Sequence, residues 1–389
     1  MKKKLKKIIS SILLCTVLAG CSDSTPSHEI PLNQSSSCPV STMRTGTARQ
    51  GIKGYGNSFE CTQEGSYFML DEAGAGSWLL YADHGSDTFI KLCGRPDCNH
   101  IGTDCNARFS GGTASICYYD GFLYTFDLSS GDIIRINLDG TERTTVYNVS
   151  SFEKQNGFKG RWDQKIMNGV LFITEIEIND KGENVGKGIY YKLDGSMKEP
   201  ELADFLGIHM YADGENFVGV VDNDPENELY IFGLWDSDKG VTDELFTIDD
   251  VTGYGYYGTK ARYYVENGVI IEDSYAEGKK ELINTGLKGD YQLACFPDCM
   301  VMYEKDIVWE EKTLYFYDWD YNSLGSVKID YEFHDAITGF ICGETPERIF
   351  LTDNLFYAPR YYINKSDFGT GNIEIHTLNV PDSFIFFGE

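Results

Sequence analysis

Between Cys93 and Cys105 the chain reads Cys-Gly-Arg-Pro-Asp-Cys-Asn-His-Ile-Gly-Thr-Asp-Cys. Cys93, Cys98, His100 and Cys105 form a C-x4-C-x-H-x4-C pattern, with the ligand number and types of a tetrahedral Cys3His zinc site. The spacing is looser than that of a zinc knuckle. Gly94, Pro96 and Gly102 supply bends that let a short loop close around one ion, and Asp97, Asn99 and Asp104 are polar groups available to orient the ligands. Four protein ligands fill a tetrahedral shell, so a metal here is structural; a hydrolytic zinc keeps one position open for water. Two other outcomes stand beside this one. Cys93–Cys98 or Cys98–Cys105 closes a small loop as a disulfide, or the thiols stay free. A second pair, Cys295 and Cys299, flanks the turn Phe296-Pro297-Asp298 and is a candidate disulfide across a hairpin or two buried thiols; its spacing is not the redox C-x-x-C.

How the cysteines are read depends on compartment. Residues 1–20 carry five lysines, an apolar run from Ile8 to Leu18 and then small residues, the pattern of a secretory signal too short to span a bilayer comfortably. Leu18-Ala19-Gly20-Cys21 resembles the lipobox of bacterial lipoproteins. That resemblance implies cleavage before Cys21 and its lipidation, and two or more acyl chains suffice for stable anchoring. The segment 1–20 is therefore expected to be a lipoprotein signal peptide, and the chain to sit on the outer face of the bacterial cell membrane. Residues 21–58, rich in Ser, Thr, Pro and Gly, cannot bury enough apolar surface to offset their ordering entropy and read as a flexible tether containing Cys38. Of 11 cysteines, Cys15 leaves with the signal and Cys21 with the lipid, and the odd number remaining excludes complete intramolecular pairing.

The formal charge is −27, and it becomes more negative when the signal lysines are lost. Nucleic acid is excluded as a partner, because binding to phosphate backbones needs a basic footprint. An acidic surface keeps a tethered domain soluble and away from anionic lipid.

The elements that must position the cysteines are strands. From Ser66 to Phe387 short alternating apolar runs recur between Gly, Asn and Asp turns, and no segment sustains the spacing of a long amphipathic helix. A strand, an Asp-Gly or Asn-Gly turn and another strand appear together at Asp120-Gly121, Asn168-Gly169, Asp213-Gly214 and Asn267-Gly268. Such dipeptides supply the positive φ angles of a tight hairpin. A second hairpin recurs at Asp139-Gly140 and Asp194-Gly195. Intervals of roughly 45–54 residues with several strands per unit point to propeller blades. The expected blades are 60–100, 107–150, 160–205, 208–249, 252–287, 290–330 and 336–389, seven in all, with six or eight as alternatives. The fold class is all-β, and residues 59–389 form the propeller, with a β-sandwich or β-helix as rivals.

The lipobox, the repeated Tyr-Tyr-Asp-Gly-Phe-Leu-Tyr and Asn-Leu-Asp-Gly hairpins and the Cys93–Cys105 segment together resemble exported clostridial lipoproteins with TolB-like or low-density-lipoprotein-receptor-like propellers. The resemblance implies the fold and a binding or sensing role of ill-defined kind.

Acidic turns at Asp222–Glu228, Asp236–Gly240 and Asp318–Asn322 offer oxygen ligands, but none matches the full calcium loop, and Asp, Asn and Gly are ordinary hairpin residues. Paired tyrosines such as Tyr190-Tyr191 and Tyr256-Tyr257 place one ring on each face of a strand, to pack between blades or to line an end of the ring. No GxSxG, GxxxxGK[ST], HExxH or dinucleotide motif is present, and the 6 histidines are isolated. Two functions follow. One is a lipid-anchored, non-catalytic propeller that binds a surface glycan, peptide or protein, with one structural zinc at most as cofactor. The alternative is a surface polysaccharide hydrolase or lyase with carboxylates converging in the propeller channel.

Overall fold

The computed structural model describes residues 59–380 apart from 73–75, 103, 162, 179–183, 204–207, 214–215, 225–228, 249–254, 305–311, 330–340 and 353–358. The signal peptide, Cys21, the tether and Cys38 lie outside the described residues. Seven antiparallel sheets follow one another at 59–109, 113–148, 163–203, 208–248, 256–284, 291–329 and 341–377. Six have four strands paired in chain order, and the first has five. This is a seven-bladed β-propeller. Its blades fall close to the expected limits except that Arg108–Phe109, assigned by sequence to the second blade, pairs with Gly76–Asp83 of the first.

The turn chemistry places the strands. Asp120 and Gly121 have φ of 45° and 84°, Asn168 and Gly169 have 47° and 75°, and Asn267 and Gly268 have 53° and 74°. Two consecutive positive φ angles are what a two-residue hairpin matching the strand twist needs. The first two turns join the first and second strands of their blades. Asn267-Gly268 instead joins the second strand, Ala261–Glu266, to the third, Val269–Ser274. That change of phase accounts for the longer interval before it. Gly214 of the Asp213-Gly214 turn lies outside the described residues. In the other hairpin, Asp139 and Asp194 each accept a bond from the N–H two residues on, at 2.9 and 2.8 Å.

In the first three blades the first strands run side by side. Glu60 in Phe59–Cys61 accepts the N–H of Tyr118 in Thr113–Tyr119 at 3.0 Å, and Ser115 accepts that of Ile166 in Asp163–Met167 at 2.7 Å. Alternate residues of each blade then enter opposite seams. Tyr191 stacks on Tyr147 of the second blade at 5.1 Å, while Tyr190 meets Trp235 of the fourth edge-on at 4.9 Å. Tyr256 and Tyr257 likewise belong to two different clusters. Seam packing therefore uses these paired rings.

The same alternation sends the two members of the second cysteine pair to different clusters. Cys295 packs with Tyr256 and Ile270 of the fifth blade, whereas Cys299 packs with Ile349 and Ile363 of the seventh. Both are buried free thiols whose pKa values burial raises, one of the two arrangements expected for the pair.

Among the described residues the ring closes without a shared sheet. Phe59 and Phe350 rings lie 5.0 Å apart, Thr88 bridges Asn379, and Arg348 donates to the carbonyls of Ser86 and Gly85 at 2.7 and 2.9 Å. Between the second and third blades the chain forms the short helix Ser150–Gln155. Among the described residues no helix is long and apolar enough to cross a membrane.

Candidate metal centre

The cysteine cluster is an excursion from the outer edge of the first blade. Ile90–Lys91 and Arg108–Phe109 both pair with Gly76–Asp83, as two halves of an interrupted strand. Leu92 donates to the carbonyl of Leu79 at 2.9 Å, and the N–H of Leu79 donates to Ala107 at 2.8 Å. The loop thus leaves and rejoins the sheet at a single residue. Pinning both ends shortens the reach over which the ligands must be gathered, which lowers the ordering cost of a site built on a loop.

Inside the loop, turns bring the ligands together. Cys98 N–H bonds Arg95 at 3.3 Å and Cys105 N–H bonds Gly102 at 3.2 Å. His100 sits at φ 55°, in the left-handed region, and donates its N–H to Cys98 Sγ at 3.4 Å. A histidine held there occupies a sparsely populated backbone region. Lys91 fixes the turn by donating to the His100 carbonyl at 3.1 Å while its ammonium lies 3.7 Å from the Trp78 ring centroid.

The ligand atoms of Cys93, Cys98, His100 and Cys105 all lie within 4.8 Å of one another. Cys105 Sγ is 3.7 Å from His100 Nδ1. Tetrahedral zinc with bonds of about 2.3 Å to sulfur and 2.0 Å to nitrogen sets ligand edges near 3.5–3.8 Å, so one edge already fits and the others close by about an ångström at most. The donor set suits the group: soft thiolates with one imidazole select zinc over hard cations. Three ligands are half-buried and Cys105 is buried. Burial opposes the Cys93 thiolate, but the N–H groups of Arg95 and Asn106 and the thiols of Cys105 and Cys98 outweigh it and lower its pKa. Cys105 is pushed up to about 12, by burial first and then by its cysteine neighbours.

Asp97, Asn99 and Asp104, expected to orient the ligands, serve the loop itself. Arg95 pairs with Asp97 and Asp104 at 3.9 and 3.8 Å, and Asn99 accepts the N–H of Ile101 at 3.2 Å. The residue that ties the loop to the body is Asn106, not singled out by the sequence. Its amide donates to Gly140 and Thr141 of the second blade at 2.8 and 2.9 Å. Gly94 and Gly140 allow that approach, since a Cβ would lie 2.7 Å from the Asp139 carbonyl and 2.9 Å from that of Leu92 respectively. The site therefore sits on the seam between the first two blades.

Among the described residues the acidic turns carry no comparable ligand set. Asp236 is taken up by Asp238 N–H at 2.8 Å and Lys239 at 3.0 Å. Asp318 is taken up by the N–H groups of Asp320 and Asn322 at 2.9 and 2.8 Å. Residues 225–228 of the Asp222–Glu228 turn lie outside the described residues.

No family model matches the chain, and no curated protein matches it. Among solved structures it is similar to a puromycin hydrolase variant at 12% identity and a TM-score of 0.48, over 84% of this chain and 53% of that one. A quinonprotein alcohol dehydrogenase-like protein from Bacteroides thetaiotaomicron matches at 12% identity and a TM-score of 0.42, over 72% of this chain and 68% of that one. Apo AztD from Citrobacter koseri matches at 9% identity and a TM-score of 0.36, over 70% and 86%. The chain spans about half the length of the puromycin hydrolase. These likenesses concern the fold alone.

Proposed function

We propose that this chain is a lipid-anchored propeller of the bacterial cell surface that binds a ligand without transforming it, and that Cys93, Cys98, His100 and Cys105 hold one structural zinc. The observation carrying the binding role is a cavity of about 430 Å3 at the seam of the second and third blades, lined in part by Leu128, Ser150, Glu153, Phe158, Arg161 and Gln164. Its size lies within the roughly 300–1,000 Å3 of small-molecule sites. Its carboxylate is already committed: Arg161 grips Glu153 through two bonds of 2.7 and 2.6 Å. A carboxylate held by a guanidinium through two bonds serves as a fixed counter-ion.

Anchoring is supported by the basic, apolar and Leu18-Ala19-Gly20-Cys21 succession in the sequence. In the metal site, four protein ligands complete the tetrahedron and leave no position for a reacting water. The zinc supplies cross-linking there, and the residues supply its placement at the seam.

Screening the full chain against surface sugars and peptides by calorimetry, with product analysis in parallel, tests the reading. Saturable binding without product is expected. Release of reducing ends or unsaturated sugars from polysaccharide overturns it in favour of a hydrolase or lyase. Incorporation of an alkyne-tagged fatty acid, abolished by Cys21→Ala, tests the anchor.

A further inference from the structure

We infer that Lys365 and Asp298 join through their side chains in an amide bond, a covalent staple between the sixth and seventh blades, with Glu344 as the proton relay. The inference is independent of the ligand and of the zinc.

The three groups come from separate elements. Asp298 lies in the turn between Tyr291–Cys295 and Met300–Glu304, closed by the N–H of Phe296 on the carbonyl of Cys299 at 2.8 Å. Glu344 ends Ile341–Glu344, the first strand of the seventh blade, and Lys365 follows Pro359–Asn364, its third. The N–H of Lys365 donates to the Glu347 carbonyl at 2.7 Å, so its backbone is held too. Holding both reactants matters, because well-oriented intramolecular partners act at effective molarities of about 10⁵ M and above. That replaces the chemical activation that a free acid and amine need.

The amine is placed for attack. Lys365 Nζ lies 2.9 Å from both carboxylate oxygens of Asp298 and 2.6 Å from Oε2 of Glu344. Equal distances to the two Asp298 oxygens put the nitrogen opposite the carboxyl carbon, the atom with which it must bond. The contact with Glu344 is through Oε2, as suits a proton acceptor. Side-chain exposures of 9% for Lys365 and 11% for Glu344 keep bulk water from the nitrogen, while Asp298, at 46%, leaves a way out for the water that condensation releases. Phe296, Cys299 and Ile363, close to these residues along the chain, are buried in one apolar cluster. As an ion pair alone the arrangement gains little, since desolvation of buried charges offsets their attraction.

The step is a condensation without change of oxidation state. Burial disfavours the ammonium, yet the carboxylates of Glu344 and Asp298 prevail and keep it charged before reaction, so protons have to leave first. One passes to Asp298, giving amine and acid. Nζ then attacks the carboxyl carbon, and Glu344 accepts a second proton from the nitrogen. Glu344 returns that proton to a hydroxyl of the tetrahedral carbon, whose C–O bond breaks to release water. The sum, ammonium plus carboxylate giving amide plus water, balances in atoms and charge. The bond closes a chain loop whose ends are 67 positions apart, which restricts the unfolded state as other cross-links do.

Mass spectrometry of the full chain under denaturing and reducing conditions, with tandem sequencing after proteolysis, tests the assignment. The expected mass is one water below that of the chain carrying Lys365→Arg, after allowance for the substitution itself. Because an Asp-Gly turn can also lose water, the joined peptide linking Asp298 to Lys365 is the identifying product. Glu344→Gln is expected to form the bond about a hundredfold or more slowly, with folding checked by circular dichroism, and Asp298→Ala to form none. An unlinked Lys365 in folded wild type, a link that maps to Glu344, or full linkage in Glu344→Gln overturns the assignment. The wild-type peptide map tells staple from ion pair on its own, whether or not a variant folds.

Discussion

Cys105 Sγ and His100 Nδ1 stand 3.7 Å apart, a separation that a tetrahedral ion imposes on two of its ligands. Purified without chelator, the full chain is expected to carry one zinc, measured by elemental mass spectrometry. Cys98→Ser or Cys105→Ser should lose it. Chelation should lower the melting temperature by several degrees, since a bound ion stabilises the folded state by mass action and a chain of this size responds by roughly 1–2 °C per kcal/mol. A metal-free protein whose melting is unchanged by added zinc would refute the site.

The coupling of that loop to the second blade runs through Asn106. Asn106→Ala strands the carbonyls of Gly140 and Thr141, at a cost of about 1–2 kcal/mol. Zinc content should be unchanged, while hydrogen exchange at residues 137–143 rises. Loss of zinc in this variant would mean that Asn106 acts on the ligands rather than on the seam.

Much of this fold was legible because its hairpins demand particular residues. Asp-Gly and Asn-Gly are the residues that accept positive φ at both turn positions, so Asp120-Gly121 and Asn168-Gly169 mark true blade hairpins. The phase slip at Asn267-Gly268 was not legible, because one turn type serves any pair of adjacent strands. The cluster of three cysteines and a histidine could be read from spacing, but its support could not. Leu79 is linked to Leu92 and Ala107 only by sheet register, and Asn106 reaches across a seam. The choice left open for Cys295 and Cys299, bridge or buried thiols, was not legible for a related reason: closeness along a hairpin says nothing about which face each thiol takes, and here the two join different clusters. The cavity residues Glu153 and Arg161 gave no sequence signal beyond a charged linker.

Arg348 acts as the clasp between the last and first blades. It bonds the carbonyls of Ser86 and Gly85 and the carboxylate of Asp87 at 2.7 to 2.9 Å, and its guanidinium lies 4.0 Å from the Tyr362 ring centroid. Arg348→Ala is expected to destabilise by about 2–4 kcal/mol in denaturant unfolding, mostly from the orphaned carbonyls, since Asp87 is half exposed. Arg348→Lys should recover only part, because an ammonium cannot reproduce the planar fork. Exchange should quicken at 85–89 and 378–380; an unchanged ring seam would show that aromatic packing alone closes the propeller.

Two glycines with the same turn geometry should respond unequally to alanine. Gly121 has φ 84° and nothing within 4 Å of an added Cβ, so Gly121→Ala carries only the backbone strain, about 1 kcal/mol. At Gly169, φ 75°, the Cβ would stand 2.5 Å from the Tyr119 ring, adding a clash at the second and third blades for about 2–3 kcal/mol in all. Denaturation midpoints that rank the two variants the other way would show that Tyr119 yields freely.

Glu175 gives the seam of the second and third blades a pH dependence of defined sign. Burial opposes its charge, but Lys187 and the N–H groups of Lys159 and Gly160 prevail and hold its pKa below the ordinary 4.5. A carboxylate depressed in the folded state stabilises fully above its unfolded value and loses that contribution as pH falls through its folded value. At neutral pH Glu175→Gln should cost about 2–3 kcal/mol, because Lys187 is left beside a neutral amide. The gap between wild type and Glu175→Gln should narrow as pH drops below 4.5, measured by denaturant unfolding from pH 7 to 3. A gap constant across that range would mean that the side chain acts through shape and hydrogen bonding, with its charge contributing nothing.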